Sequence, residues 1–204
     1  MKKTETALEG QSNIEIEERG MNVMEKREVA SQEKNGLGIQ DILLIGILLA
    51  AGAVLKFFVG TVINFGMKPN FIIAMYCLII LLIKPRMTEA CVIGLLSGAI
   101  CQFFPGQPWI NFVSELAGAV AMCALARLPM KTSLTPVKTV VSTFLSTLVS
   151  GFSFIGVMYL MYYSGADITP TPLAAFMAII FGTAFINSII VLVLYTPLRL
   201  ALKK

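Results

Sequence analysis

LAAFMAIIFGTAFINSIIVLVL, residues 173–194, runs for 22 positions without one charged side chain. A helix of that length is about 33 Å long, enough to cross the roughly 30 Å hydrocarbon core of a bilayer. Its apolar residues fall on every face, so no side is left for water. That pattern belongs to a helix in lipid or in the middle of a large core. Thr171-Pro172 just before it reads as an N-cap followed by proline at the first helical position, which sets the start. Arg199, Lys203 and Lys204 follow its end.

Working outward, five more stretches of this kind precede it. They are Ile39–Val59, Phe71–Ile83, Ala90–Phe104, Trp109–Ala126 and Val137–Tyr163, the last again opened by a Thr-Pro pair, Thr135-Pro136. Phe71–Ile83 is short for a span and is expected to recruit flanking residues or to sit against thicker neighbours. The spacing predicts an all-α membrane protein, a bundle of six transmembrane helices over residues 39–204. Residues 1–38 differ in kind. They hold 14 of the chain's 28 charges, six basic and eight acidic. This segment is too polar to build a core and reads as a disordered cytoplasmic tail, with Asn13–Glu28 able to turn helical against a partner. It is no secretory signal, because no apolar stretch follows Lys2 and Lys3.

Basic residues orient the bundle, since short cytoplasmic loops are enriched in them. With the N-terminus inside, the inner side holds the tail, Lys84, Arg86, Arg127, Lys131, Lys138, Arg199, Lys203 and Lys204. That is 14 of the 16 Lys and Arg, leaving only Lys56 and Lys68 outside. Both termini are therefore expected in the cytoplasm of a plasma-membrane protein.

Several chemistries are excluded by what is missing. The chain has no histidine, which removes Ser-His and Cys-His hydrolysis and His-ligated zinc. It has no phosphate loop and no dinucleotide fingerprint. Cys77, Cys91, Cys101 and Cys123 form no C-x-x-C pair and read as small apolar residues. No enzyme, metal, cofactor or nucleic-acid partner is expected.

The outer ends of the helices gather the polar residues that remain. Lys68, Asn70, Gln102, Trp109, Asn111 and Glu115 are the candidate substrate-binding residues. Glu115 stands out, a turn and a half into the fourth helix, because a carboxylate in a span is costly unless paired or solvated. Trp109 and the tyrosines Tyr159, Tyr162 and Tyr163 also suit a membrane-interface belt, and Lys56 suits a snorkelling lysine. A free amino acid needs a cation for its carboxylate, an acceptor for its ammonium and a surface for its side chain. Lys68 (or Lys56), Glu115, and Trp109 with Phe103 and Phe104 supply that set. Small residues four apart, Gly46/Ala50, Gly94/Gly98, Ala117/Ala121 and Ala174/Ala178/Gly182, let helix backbones approach closely. The densest group, Gly46 and Ala50 with Ala53, is the candidate face for an external partner.

Gln40-Asp41-Ile42-Leu43-Leu44 followed by Leu49-Ala50-Ala51-Gly52-Ala53-Val54-Leu55 resembles the first helix of the S components, the substrate-binding subunits of energy-coupling factor transporters. Phe65-Gly66-Met67-Lys68-Pro69-Asn70-Phe71, with Ala74-Met75, looks like the tryptophan-transporter branch of that family. The resemblance covers most of residues 39–200; the charged tail departs from it. It implies a solute pocket under the outer loops, docking on a transmembrane coupling subunit (the T component), and two cytoplasmic ATPase subunits. In the family an Ala-x-x-x-Ala motif on the first helix docks; here Gly46-Ile-Leu-Leu-Ala50 keeps the small faces without the first alanine. The expected solute is an aromatic amino acid, tryptophan first, with a vitamin-like heterocycle as alternative. A membrane scaffold that recruits a cytosolic partner through the tail is the alternative from another class.

Overall fold

Each apolar run folds as a helix. The computed structural model describes residues 36–62, 70–104, 109–129, 135–168, 170 and 172–202. The helices are α1 (Ile39–Val62), α2 (Ile72–Ile83), α3 (Met87–Cys101), α4 (Ile110–Arg127), α5 (Thr135–Tyr163) and α6 (Leu173–Ala201). The chain divides into two units, Met1–Gln40 and Asp41–Lys204. Most of the charged tail, and Lys68, lie outside the described residues.

Four helices, α1, α4, α5 and α6, are individually long and apolar enough to cross a membrane. The boundaries differ from the sequence expectation mostly at α3 and α6. Helix α3 starts at Met87 rather than Ala90, because the Arg86 N–H donates to Glu89 Oε2 at 2.7 Å and closes the first turn. It ends at Cys101 in tighter turns, Phe103 N–H to Ile100 O and Phe104 N–H to Cys101 O. Helix α6 continues through Pro197 to Ala201. Pro172 occupies the cap position of α6 itself, one place before the expected one.

Helix α2, at 12 residues only about 18 Å long, resolves its own shortness by position. Every residue from Phe71 to Leu82 is buried. Helices α3, α4, α5 and α6 all touch it, and α1 closes on it where Gly52 meets Met75 and Ile72. A helix apolar on all faces is stable only where all faces are covered. Covered in this way, it need not match the thickness of the lipid.

Close packing of α3 on α4 rests on two glycines. A Cβ on Gly94 would lie 2.9 Å from the Glu115 carbonyl oxygen and the Leu116 Cα, and one on Gly98 would lie 2.9 Å from the Phe112 Cα. The Gly94/Gly98 spacing is thus used inside the bundle. Gly46 and Gly182, in contrast, have nothing within 4 Å of that position.

Helix α5 faces the centre with a polar stripe of small side chains: Thr139, Ser142, Thr143, Ser146, Thr147 and Ser150, all buried. The spacing of three and four places them on one face. Three return their hydroxyls to backbone carbonyls, Ser142 to Lys138 O (2.6 Å), Thr147 to Thr143 O (2.9 Å) and Ser146 across to Gly118 O of α4 (2.9 Å). At one end, Lys138 Nζ caps the last turn of α4 through Ala126 O (2.7 Å) and Leu128 O (2.6 Å). Arg127 Nη2 donates to Pro85 O at 3.1 Å. Cations at helix C-termini satisfy orphan carbonyls and oppose the helix dipole.

Candidate functional site

All six helices, or the residues directly adjoining them, send a polar group to one place. Lys56, on α1, lies four residues beyond Gly52 and so on the same buried face; it is 7% exposed. Its Nζ donates to Cys101 Sγ, at the end of α3, at 3.3 Å. The same ammonium lies 4.9 Å from the centre of the Phe104 ring, a cation–π contact. Asn70, just before α2, bridges onward: its Nδ2 donates to Glu115 Oε1 on α4 at 2.5 Å and reaches Cys101 Sγ at 3.8 Å. Ser150 Oγ of α5 donates to Glu115 Oε2 at 3.4 Å. Asn187 of α6 donates from Nδ2 to the Asn70 carbonyl at 3.2 Å.

A cation and a carboxylate, both buried, are thus joined through a neutral thiol and a neutral amide. Burying a charge in a span costs a few kcal/mol or more unless it is paired. The bridged arrangement places Lys56 within electrostatic reach of Glu115. Two further polar atoms buried here, the Tyr76 hydroxyl and Asn187 Oδ1, have no hydrogen-bond partner among the described residues, as is also true of Thr143 Oγ1 on the α5 stripe. The Tyr76 hydroxyl lies beside Ser146, Ser150 and Glu115. It fits there because α4 carries a glycine at 118, whose absent side chain would otherwise strike that hydroxyl. Buried polar atoms are nearly always satisfied, so unpartnered ones mark a place where another molecule completes the network. The chemistry offered is a donor cation, an acceptor carboxylate, a hydroxyl and an amide carbonyl, with one aromatic ring beside the cation. That set complements a small zwitterion.

The residues expected from the sequence separate into two groups. Asn70 and Glu115 are brought together in the cluster. Gln102 is half-buried and its Nε2 donates to Gly98 O of its own helix at 2.9 Å. Asn111 is half-buried. Trp109 is 75% exposed and packs on Phe112, ring centres 6.2 Å apart. Phe103 is also exposed, so the aromatic ring at the cluster is Phe104. Lys56 does not snorkel to the surface; it is buried where Cys101 and Phe104 hold its ammonium. Cys101 is a bridging acceptor rather than an apolar filler. Cys101, Tyr76, Ser150 and Asn187 were not singled out from sequence. An asparagine inside an apolar span is a signal that was there to be read. On α1, Gly46 faces open space, Ala50 is exposed and Ala53 is half-buried.

A family model described as "Tryptophan transporter TrpP" matches residues 38–203. A protein of Clostridium acetobutylicum named "Probable tryptophan transport protein" is 25% identical over 171 residues, which cover 82% of this chain and 96% of that protein. No solved structure matches the chain.

Proposed function

Since this chain belongs to the tryptophan transporter TrpP family, a family of multi-pass membrane transport proteins, we propose that it is the solute-binding subunit of an energy-coupling factor transporter and takes up tryptophan. The observation that carries this reading is the buried pair Lys56 and Glu115, bridged by Cys101 and Asn70. In the proposed complex the amino acid's carboxylate meets Lys56 and its ammonium meets Glu115, replacing parts of the bridge. Charge-assisted hydrogen bonds in a water-poor site are shorter and about twice as strong as neutral ones. The Tyr76 hydroxyl, beside Glu115, supplies a further oxygen acceptor to the ammonium. Lys68 and Asn111 stand nearby in sequence and are proposed to line the approach, with Trp109 and Gln102 at the rim.

The cluster sits toward the end of the bundle that carries the α1–α2 and α3–α4 connections. With both termini cytoplasmic, that end faces outward, as uptake requires. Energy comes from elsewhere in this reading: a T component docks on the Gly46/Ala50/Ala53 face, and two cytoplasmic ATPase subunits drive it. The open surroundings of Gly46 support an unpartnered face there.

Calorimetry of the purified protein with tryptophan tests the reading. The wild type is expected to bind, and Glu115→Gln and Lys56→Met each to weaken binding by roughly 10- to 100-fold, the worth of a hydrogen bond to a charged group. No binding by the wild type rules tryptophan out. Unchanged affinity in both variants keeps the solute and refutes the assigned roles.

A further inference from the structure

Asn187 is fully buried in the middle of α6, and its two side-chain polar atoms have different fates. The Nδ2 donates to the Asn70 carbonyl at 3.2 Å, while Oδ1 has no partner among the described residues. A backbone carbonyl can only accept, so the nitrogen must be the atom that faces it. The amide is therefore held with its oxygen presented and unsatisfied. Ser188, the buried hydroxyl residue next to it in sequence, does not relieve it: its Oγ donates to Ala184 O at 2.8 Å and Val140 O at 3.3 Å.

We infer that Asn187 Oδ1 is the acceptor that selects a solute whose side chain carries a neutral N–H, the indole of tryptophan. The inference rests on the tryptophan-binding reading above and adds the residue that sets its side-chain specificity. Two features point to the indole rather than the ammonium. First, the strong acceptor for a charged donor is already present in Glu115, and a neutral amide oxygen suits a neutral donor. Second, Asn70 stands between the two acceptors, its side chain on Glu115 and its backbone on Asn187. Glu115 and Asn187 thus engage Asn70 at different points, and the carboxylate and the amide oxygen are separate acceptors that suit separate groups of one amino acid. A site built around a buried acceptor rejects an analogue that lacks the donor, because the acceptor is then left dry and unpaired. Phenylalanine lacks that donor.

The test compares tryptophan with 3-(benzothiophen-3-yl)alanine, which replaces the ring N–H by sulfur and keeps the ring shape. Affinities are measured by calorimetry on the full-length wild type and on Asn187→Leu and Asn187→Ala. The wild type is expected to prefer tryptophan by roughly 10- to 100-fold, the range for stranding a buried acceptor. Both variants are expected to bring the ratio close to one, by weakening tryptophan far more than the thiophene analogue. A merely structural role for Asn187 would weaken both ligands alike and leave the ratio unchanged; that result overturns the inference. A wild-type ratio near one overturns it independently, even if neither variant folds. If the wild type binds neither compound, the tryptophan-binding reading itself fails, an outcome distinct from loss of selectivity.

Discussion

Substituting Gly94 by alanine puts a methyl group 2.9 Å from two backbone atoms of α4, the Glu115 oxygen and the Leu116 Cα, and 3.0 Å from the Ala119 Cβ. Ordinary carbon contacts lie at about 3.5–4.0 Å, so α3 must retreat by roughly 0.6–1 Å. Neither backbone atom can rotate away. Strain of this kind costs about 1–3 kcal/mol, while replacing glycine inside a helix returns up to about 1 kcal/mol. Gly46→Ala and Gly182→Ala receive the same helical benefit without the collision, because nothing lies within 4 Å of either added carbon. The propensity gain cancels in the comparison, so the difference between Gly94→Ala and the two controls isolates the strain. For a chain of this size it corresponds to a melting temperature lower by roughly 2–10 °C. Thermal unfolding of the three purified variants in one detergent measures it. The displaced strand of contacts includes the Glu115 carbonyl, so Gly94→Ala should also weaken tryptophan binding, more than Gly98→Ala, whose clash is with Phe112 and Asn111. Equal melting temperatures for Gly94→Ala and Gly46→Ala would refute the close approach of α3 and α4.

Two further outcomes follow from the proposed assembly and orientation. Gly46→Leu combined with Ala50→Leu should abolish uptake and co-purification of a coupling subunit while leaving solute binding and melting temperature intact; loss of folding would mean that this face packs internally. A cysteine at Gln107 or Gly165 should react with an impermeant thiol reagent in intact cells and one at Met130 should not, and the reverse pattern would invert the bundle.

The helices were legible because lipid imposes a length and an apolar composition that few other settings demand. The limits of α3 were less so, since the Glu89 side chain extends the helix backwards over residues that look like loop. The short Phe71–Ile83 run was visible as an anomaly, but its explanation needed the other five helices. Nothing in one segment states that its neighbours will enclose it on every side.

At the site, the legible residues were those whose chemistry is out of place in lipid. Glu115 and Asn70 are two of them, and both join the cluster. Trp109 was less legible for a related reason: an indole suits both a ligand and an interface, and its composition cannot separate the two. Lys56 was ambiguous because a helix in lipid is apolar on every face, so hydrophobic periodicity does not mark which side turns inward. The buried members of α1 (Ile45, Leu48, Leu49, Gly52 and Lys56) follow one stripe only once the partner is known. Asn187 and Tyr76 were overlooked because each sits within a strongly apolar run, which is the very condition that makes a buried polar group expensive to keep. Their place in the buried cluster gives them a meaning that their spacing could not. Lys56 and Glu115 are held within reach of each other but joined through Cys101 and Asn70, so each charge is only partly compensated by the protein. A ligand that brings a carboxylate to one and an ammonium to the other improves both contacts at once, which a ligand of single charge cannot do.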